Sequence, residues 1–228
     1  MRFVSLHGAF SKGMKPLSAC RLYAFVDTAY LDGRDPVEVA RRLCEGGADL
    51  IQLRAKGMPE AEVRSIAETL HPVTRAAGVR LVINDHLEIA RALGTEVCHL
   101  GQEDFFEAGH RKISDLDRPE SRMEFGLSTH APAQAVRAVE AGPDYIAVGP
   151  VFATATKPGR PAVTLDYVRW AAANVRIPWF AIGGITLENL DSVLEAGATR
   201  ICVVSAILRT PDIAAACREF LRRMPAVA

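Results

Sequence analysis

Short apolar runs alternate with longer amphipathic segments along most of the chain. The first apolar run covers residues 22–26, and after it Val37, Ala40 and Leu43 recur at the spacing of a helix. Asp35 lies just before these positions and is a suitable N-cap for that helix. The opening pattern therefore predicts one strand followed by one helix.

The same strand and helix unit recurs to the end of the chain, and eight units can be counted. The remaining strands are predicted at residues 50–54, 80–83, 97–100, 123–127, 145–148, 179–182 and 200–204. The remaining helices are predicted at residues 59–77, 86–93, 103–109, 131–141, 165–174 and 187–196, the last capped by Thr186, and Pro211 opens a final helix. This alternation indicates parallel strands and favours an α/β fold, a single-domain (β/α)8 TIM barrel, over an open doubly wound sheet.

The length of the chain fits one such barrel, since 228 residues of which 49% are hydrophobic can bury a sizeable core. The periodic pattern begins only at Arg21. We therefore expect residues 1–20 to form a flexible N-terminal arm and residues 21–228 to form the barrel, with translation starting at either Met1 or Met14.

The charge and cysteine content exclude several classes of protein. Because 27 basic residues balance 27 acidic ones, no excess charge would attract nucleic acid or an anionic membrane. No segment has the length and apolar character of a membrane span or a secretory leader. The five widely spaced cysteines are Cys20, Cys44, Cys98, Cys202 and Cys217, and they indicate reduced thiols. We therefore expect a cytoplasmic protein without nucleic-acid or membrane partners, and a homo-oligomer remains open.

Polar residues at the end of the second predicted strand are candidates for an anion site. Gln52, Arg54 and Lys56 are spaced two apart and so share one face, while Ile51 and Leu53 point to the other. In a barrel the active site lies at the carboxyl ends of the strands, where an amide, a guanidinium and an ammonium would suit phosphoryl oxygens. The alternative is that Arg54 and Lys56 reach out to solvent from the strand end.

Carboxylates follow the third and fourth predicted strands. Asp85 and Asp104 lie on neighbouring connections and, together with phosphate oxygens, would suit Mg²⁺. A helix N-cap is the alternative for each. His99 either contacts a substrate or satisfies a buried hydrogen bond, and Ser128 and His130 either line the site or cap a helix. No Ser-His-acid or Cys-His arrangement indicates a nucleophile.

The loop after the sixth predicted strand is a second candidate for binding an anion. Thr154 and Thr156 offer hydroxyl donors, Lys157 adds a positive charge, and Gly149 would let the backbone approach a ligand closely. The alternative is a solvated loop with an ordinary surface lysine.

Small residues after the seventh and eighth predicted strands point to a phosphate. Gly183-Gly184 and Val204-Ser205 stand where many barrels bind phosphate through backbone N–H groups. The sequence thus predicts two anion sites that face each other, one with a metal and many charges and one with fewer.

These motifs resemble those of the thiamine phosphate synthase (thiamine-phosphate pyrophosphorylase) family from about Leu22 to Ile207. The likeness is carried, in the family's order, by Gln52-Leu53-Arg54-Ala55-Lys56, Ile83-Asn84-Asp85, His99-Leu100-Gly101-Gln102-Glu103-Asp104, Gly126-Leu127-Ser128-Thr129-His130, Gly149-Pro150-Val151-Phe152, Thr154-Ala155-Thr156-Lys157, Gly183-Gly184-Ile185 and Val204-Ser205-Ala206-Ile207.

The resemblance implies a transferase whose substrates are two small molecules. It would condense 4-amino-2-methyl-5-hydroxymethylpyrimidine diphosphate with 4-methyl-5-(2-phosphoethyl)thiazole or its carboxylate, giving thiamine monophosphate and pyrophosphate by a Mg²⁺-assisted dissociative displacement.

The resemblance also implies roles for individual residues. Those implied to hold the pyrimidine diphosphate are Gln52, Arg54, Lys56, Asn84, Ser128 and Lys157, of which Arg54, Lys56, Ser128 and Lys157 would act in the chemical step. Those implied to hold Mg²⁺ are Asp85 and Asp104. Those implied to hold the thiazole phosphate are Thr154, Thr156, Gly184, Val204 and Ser205.

Two other readings stay open. A thiazole tautomerase on the same barrel would transfer a proton with a histidine such as His130, and would not need the full set of diphosphate and metal ligands. A noncatalytic sensor of thiamine precursors would keep the pockets without turnover.

Overall fold

Eight short strands hydrogen-bond in chain order and close into a parallel barrel, in which β1 pairs with both β2 and β8. The computed structural model describes residues 13–116, 123–154 and 162–226. The strands are β1 Leu22–Asp27, β2 Leu50–Arg54, β3 Arg80–Asn84, β4 Val97–Gly101, β5 Glu124–Thr129, β6 Tyr145–Val148, β7 Trp179–Ile182 and β8 Ile201–Cys202. The predicted (β/α)8 TIM barrel is confirmed.

Helices follow the strands and cover the outside of the barrel. Those of the described residues are α1 Pro36–Glu45, α2 Glu60–Ala76, α3 Leu87–Leu93, α4 Gln102–Glu107, α5 Pro132–Glu140, α6 Thr164–Asn174, α7 Leu190–Glu195, α8 Ser205–Leu208 and α9 Ile213–Arg223. Asp35 caps α1 as expected, since its Oδ1 accepts a hydrogen bond of 3.1 Å from the Val37 N–H. None of the helices in the described part is long and apolar enough to cross a lipid bilayer.

The last third of the chain departs from the predicted element boundaries. Thr186 is not an N-cap, because the Asn189 amide bonds the Thr186 N–H and the Gly184 carbonyl and holds a turn before α7. The final helix begins at Ile213 with Asp212 as its N-cap, two residues after Pro211. β8 contains only Ile201 and Cys202, and the short helix α8 was not predicted.

The centre of the barrel is packed with aromatic rings. Tyr23 and Tyr145 are fully buried, and each meets Phe180 edge-on with ring centroids 5.4 and 5.5 Å apart. Tyr23 also stacks on Phe25 at 5.2 Å. These rings fill the interior below the carboxyl ends of the strands, so any ligand must bind above them.

The described end of the predicted arm, residues 13–20, contacts the amino-terminal end of the barrel. The Lys15 ammonium lies 2.6 Å from the Asp49 carboxylate, and Arg200 donates to the Ser18 carbonyl at 2.6 Å. Leu17 is only 5% exposed. Residues 1–12 lie outside the described residues.

Candidate active site

A cavity of about 340 Å³ opens at the carboxyl ends of the strands. All eight strands contribute to its wall, with Tyr23 and Phe25 from β1, Gln52 and Arg54 from β2, Asn84 from β3, His99 and Gly101 from β4, Ser128 and Thr129 from β5, Ala147 from β6, Ile182 from β7 and Cys202 from β8. The loops that follow the strands complete the wall. This is the position at which barrels of this type carry their active sites.

The three polar residues in and just after β2 line this cavity together, as their spacing predicts. Gln52 is buried, whereas Lys56 lies at the mouth with 56% of its side chain exposed. Arg54 is 13% exposed and donates from Nη1 to Asp27 Oδ2 at 2.9 Å. Arg54 therefore does not simply extend from the strand end into solvent.

Asp27 supports the cavity wall through its ion pair with Arg54, and the sequence pattern did not identify this role. Its side chain is 1% exposed, and it accepts hydrogen bonds from Arg54 and from the Ala29 N–H. Asp27 pairs with Arg54 in the register between β1 and β2. Because a buried carboxylate needs a partner, Asp27 orients the guanidinium beside the cavity. The relevant signal is a carboxylate at the end of the strand next to Arg54.

Asp85 has an unusual backbone conformation beside the cavity. Its φ of 66° lies in the left-handed region, which few residues other than glycine adopt. Its carboxylate accepts hydrogen bonds from the Asn84 amide at 2.7 Å and from the Lys56 ammonium. The N-cap of α3 is His86, so Asp85 does not have the capping role that was its alternative.

Asp104 lies within α4, whose N-cap is Gly101, so it does not cap that helix either. Its carboxylate folds over the end of β4, because a Cβ atom at Gly101 would lie 2.6 Å from Asp104 Oδ2. Since β3 and β4 are adjacent, Asp85 and Asp104 flank the same part of the cavity wall.

The donor set of these two aspartates fits a hard cation. Among the described residues, no cluster of three or more His, Cys, Asp or Glu side chains could hold a metal by protein ligands alone. Mg²⁺ commonly takes one or two carboxylates and completes its shell with water and substrate phosphate oxygens. Asp85 and Asp104 offer such a partial shell.

His130 connects the ends of two strands. Its Nδ1 lies within hydrogen-bond distance of the Gly149 carbonyl oxygen, so this nitrogen carries the proton and donates. Its backbone N–H donates to Gln134 Oε1 at 2.7 Å. Ser128 lies within β5 and lines the cavity, and neither residue caps α5, which begins after Ala131 without a side-chain cap.

Glycines let the loop after β6 pack against the loop after β7. A Cβ atom at Gly149 would lie 2.1 Å from the Ile182 carbonyl oxygen, and one at Gly183 would lie 2.4 Å from Pro150 Cβ. A Cβ atom at Gly184 would meet the Ala153 carbonyl at 2.8 Å. These distances show a close approach of Gly149 to the neighbouring strand β7. Gly149 also lines the cavity, and its approach to a ligand stays a prediction.

The residues predicted to hold the thiazole phosphate lie only partly within the described residues. Thr154, Gly184, Val204 and Ser205 line the cavity on the arc formed by β6, β7 and β8. Thr156 lies outside the described residues, as does Lys157, which the resemblance assigns to the diphosphate. Among the described lining residues, the Asp, Glu, Lys and Arg side chains lie on the arc from β2 to β4. The described residues predicted for the two sites thus lie on opposite sides of one cavity, and the binding of anions there stays a prediction.

A chain of buried hydrogen bonds runs beneath the cavity. Gln52 Nε2 donates to the Tyr23 hydroxyl at 2.5 Å, the two tyrosine hydroxyls are 3.1 Å apart, and the Tyr145 hydroxyl is 3.0 Å from His99 Nδ1. Burial raises the pKa of both tyrosines well above the usual value. The sequence pattern placed these tyrosines in apolar strands. Only the knowledge that their side chains point into the barrel could have indicated that their hydroxyls are hydrogen-bonded to one another.

The cysteine nearest the site is not activated. Cys202 lines the cavity, and burial raises the pKa of its thiol well above the usual value. Burial likewise raises the pKa of Cys98 to about 12. Both thiols therefore stay protonated at neutral pH and are poor nucleophiles.

The family model and the most similar curated relatives agree on one family. Residues 22–207 match the family model described as thiamine monophosphate synthase. The thiamine-phosphate synthase of Thermus thermophilus is 47% identical over 192 residues, which cover 82% of this chain and 88% of that protein. The corresponding protein of Acidothermus cellulolyticus is 44% identical over 93% of this chain and 98% of its own length. Among solved structures, the thiamine phosphate pyrophosphorylase of Pyrococcus furiosus superposes with a TM-score of 0.75 at 28% identity, covering 90% of this chain and 96% of that one.

Proposed function

Because the chain belongs to the thiamine monophosphate synthase family, we propose that it joins 4-amino-2-methyl-5-hydroxymethylpyrimidine diphosphate to a thiazole phosphate. The products are thiamine monophosphate and pyrophosphate. The family assignment makes the protein an enzyme of the thiamine-phosphate synthase type. The identity of the two substrates and the chemical route are the proposal.

The observation that supports the proposal most strongly is that the cavity wall has two different sides, the arc from β2 to β4 and the arc from β6 to β8. Arg54, Lys56 and Asp85 line one arc, and the glycine turn at Gly184 and the backbone at Ser205 line the other. A diphosphate needs several positive groups and a cation, whereas a monophosphate can be held by backbone N–H groups and hydroxyls. Two anionic substrates would thus meet with their uncharged rings between them.

The chemistry we propose is a displacement at the methylene carbon of the pyrimidine. The bond between this carbon and the diphosphate oxygen breaks, and its electron pair leaves with the diphosphate. The amino-substituted ring spreads the positive charge that remains, and the thiazole nitrogen donates its lone pair to form the new C–N bond. No protein nucleophile is required, so the protein contributes position and electrostatic stabilisation.

The cations of the first arc would stabilise the leaving group. Arg54 and Lys56 would donate charge-assisted hydrogen bonds that strengthen as negative charge develops on the diphosphate, and Ser128 would add a hydroxyl. Lys157, on the loop that follows the sixth strand, would add a further cation. Asn84 and Gln52 would orient the pyrimidine end. Asp85 and Asp104 would hold Mg²⁺, which when bound supplies further positive charge to the diphosphate.

The contact between Lys56 and Asp85 is compatible with these roles. The two side chains are 56% and 31% exposed. An ion pair this accessible to water contributes about 0–1 kcal/mol. Lys56 can therefore turn to a diphosphate, and Asp85 to a cation, at little cost.

Membership of this family also supports small molecules as the binding partners. It supports a location in the cytoplasm, where the five free thiols would stay reduced. A homo-oligomer stays a prediction that a mass measurement in solution would test.

The proposal is tested by incubating the purified protein with both substrates, with Mg²⁺ and with a chelator. We expect thiamine monophosphate and pyrophosphate in equal amounts, only with Mg²⁺ present. Saturable binding of both substrates without product would indicate a sensor. Isomerisation of a thiazole carboxylate phosphate without consumption of the pyrimidine diphosphate would indicate a tautomerase.

A further inference from the structure

The hydrogen-bonded chain from Gln52 to His99 has a direction. A tyrosine hydroxyl has one proton to donate, and both hydroxyls keep theirs because burial raises their pKa values. Gln52 Nε2 donates to Tyr23, and the two tyrosine hydroxyls and His99 Nδ1 are the next partners along the chain. Because a buried hydroxyl proton needs an acceptor, the arrangement that uses both protons within the chain has Tyr23 donating to Tyr145 and Tyr145 donating to His99 Nδ1. A neutral His99 then carries its own proton on Nε2.

The opposite direction would require every bond of the chain to reverse at once. His99 would have to carry its proton on Nδ1, and the Gln52 amide would have to turn over so that its oxygen accepts from Tyr23. The amide orientation of Gln52 and the tautomer of His99 are therefore coupled through the two tyrosines.

Packing holds both tyrosine rings in place. The Tyr145 ring lies across Gly126, where a Cβ atom would be 2.1 Å from its Cζ. It stacks on His99 with ring centroids 5.6 Å apart and meets Tyr23 edge-on at 6.0 Å. Neither hydroxyl can move away without displacing the aromatic centre of the barrel.

We propose that Tyr23 and Tyr145 are positioning residues that fix the Gln52 amide with its carbonyl oxygen available to a ligand, and so make the site select an amino-substituted pyrimidine over an oxo-substituted one. The inference rests on the proposed function, in which Gln52 contacts the pyrimidine diphosphate. A carbonyl oxygen accepts from an amino group but meets an oxo group as a second acceptor. An amide whose orientation is not fixed can rotate by half a turn, so that it accepts a hydrogen bond from an amino group or donates one to an oxo group.

The test is a pair of dissociation constants, measured by calorimetry with Mg²⁺ and without thiazole phosphate. The ligands are the 4-amino pyrimidine diphosphate and its 4-oxo analogue. We expect the unaltered protein to prefer the amino compound on the order of 100-fold, since a mismatched buried acceptor is costly. Tyr23→Phe should reduce this preference at least about 10-fold, and Tyr145→Phe should act in the same direction.

Tyr167→Phe is a matched control. Its hydroxyl is also buried and lies 2.6 Å from Thr129 Oγ1, but Tyr167 does not line the cavity. This variant also loses a buried, hydrogen-bonded hydroxyl, with one side-chain partner where Tyr23 and Tyr145 each have two, and its preference for the amino compound should be unchanged.

A second variant separates orientation from general damage. In Gln52→Glu combined with Tyr23→Phe, both oxygens of the carboxylate accept hydrogen bonds, so no orientation needs to be fixed. The preference for the amino compound should return, even if both ligands bind more weakly. A preference that stays low in this double variant would overturn the inference.

The remaining outcomes distinguish the inference from the proposed function. An undiminished preference in Tyr23→Phe, or no preference in an unaltered protein that makes thiamine monophosphate, would overturn the inference alone. An unaltered protein that binds neither pyrimidine would overturn both. If Tyr23→Phe does not fold, Tyr145→Phe carries the same comparison.

Discussion

Arg54 and Asp27 couple ligand binding to stability at the scale of single residues. Asp27 is 1% exposed, and Arg54 donates to it at 2.9 Å while lining the cavity. Removing the cation leaves a buried carboxylate without its charged partner, which costs more than removing both groups. The two side chains should therefore not contribute additively to stability.

We expect Arg54→Ala to lower the free energy of unfolding by more than the double variant Arg54→Ala, Asp27→Asn. The difference should be about 1–3 kcal/mol, the cost of a buried charged group left unpaired. Urea titration of the two single variants and the double variant measures it. Additive losses would contradict the coupling, and activity should be low in every variant that lacks Arg54.

Asp85→Asn should raise the Mg²⁺ concentration needed for half-maximal rate by about 10-fold or more, because a hard cation loses a charged oxygen ligand. Glu103→Gln is the control, since Glu103 also lines the cavity but is not assigned to the cation. A titration of rate against Mg²⁺ compares them. An unchanged requirement in Asp85→Asn, or an equal change in both variants, would remove Asp85 from the metal site.

Residue spacing identified the side chains of a single strand but not the partners on its neighbours. The two-residue spacing of Gln52, Arg54 and Lys56 was enough to place them on one face. Tyr23 lines the cavity from β1, and Asp27 acts on it through Arg54, opposite which it lies in the register between β1 and β2. That register is set by how the sheet closes, which spacing along the chain does not show.

At the scale of elements, the glycines at strand ends have different reasons for lacking a side chain. Gly149 faces the Ile182 carbonyl oxygen, which is backbone and cannot move without disturbing β7. The three atoms nearest to a Cβ at Gly101 all belong to the Asp104 side chain, and the nearest is the terminal Oδ2. The same substitution should therefore have different effects at these two positions.

We expect Gly149→Ala to lower the free energy of unfolding by about 1–3 kcal/mol, as overpacking of a closely packed site does. Gly101→Ala should change stability by less than about 1 kcal/mol, because the carboxylate can rotate away, but it should raise the Mg²⁺ requirement by displacing Asp104. Thermal unfolding and metal titration of both variants test this. Equal destabilisation would show that the Asp104 side chain is held as firmly as backbone.

The amphipathic pattern located the elements, whereas side-chain hydrogen bonds decided where several begin. Thr186 is a good N-cap by residue type, but the Asn189 amide organises the turn that precedes α7. Asp212 displaces Pro211 as the start of the last helix because its Oδ1 accepts from the Ala215 N–H at 2.9 Å. Such choices between neighbouring capping residues depend on the path of the loop, which the pattern does not contain.

At the scale of the whole molecule, the count of eight alternating strand and helix units was enough to predict a closed barrel. Closure of the barrel then brings residues that are distant in the sequence to the same cavity. β1 pairs with β8, so residues near the start of the chain share a cavity with Val204 and Ser205. The two-arc arrangement could thus be predicted once the barrel was accepted. The relative position of groups within each arc required the structure.

The segment from Lys15 to Cys20 defines how far the chain can be shortened. We expect deletion of residues 1–14 to leave the melting temperature and rate nearly unchanged. Deletion of residues 1–20 should also remove the Lys15–Asp49 ion pair and expose the surface that Leu17 covers. Burial of one leucine alone is worth about 1.5–3 kcal/mol, so the second deletion should lower the melting temperature by several degrees. Equal melting temperatures would show that residues 15–20 do not stabilise the barrel.

The most direct test of the two-arc cavity is a single-turnover experiment that yields the rate of thiamine monophosphate formation and the separate affinity for each substrate. We predict that Arg54→Ala slows the chemical step about 100-fold or more and leaves thiazole phosphate affinity intact. Thr154→Val should chiefly weaken thiazole phosphate. If Arg54→Ala instead weakened only thiazole phosphate and formed product at the normal rate, the proposed arrangement of the two substrates would be wrong.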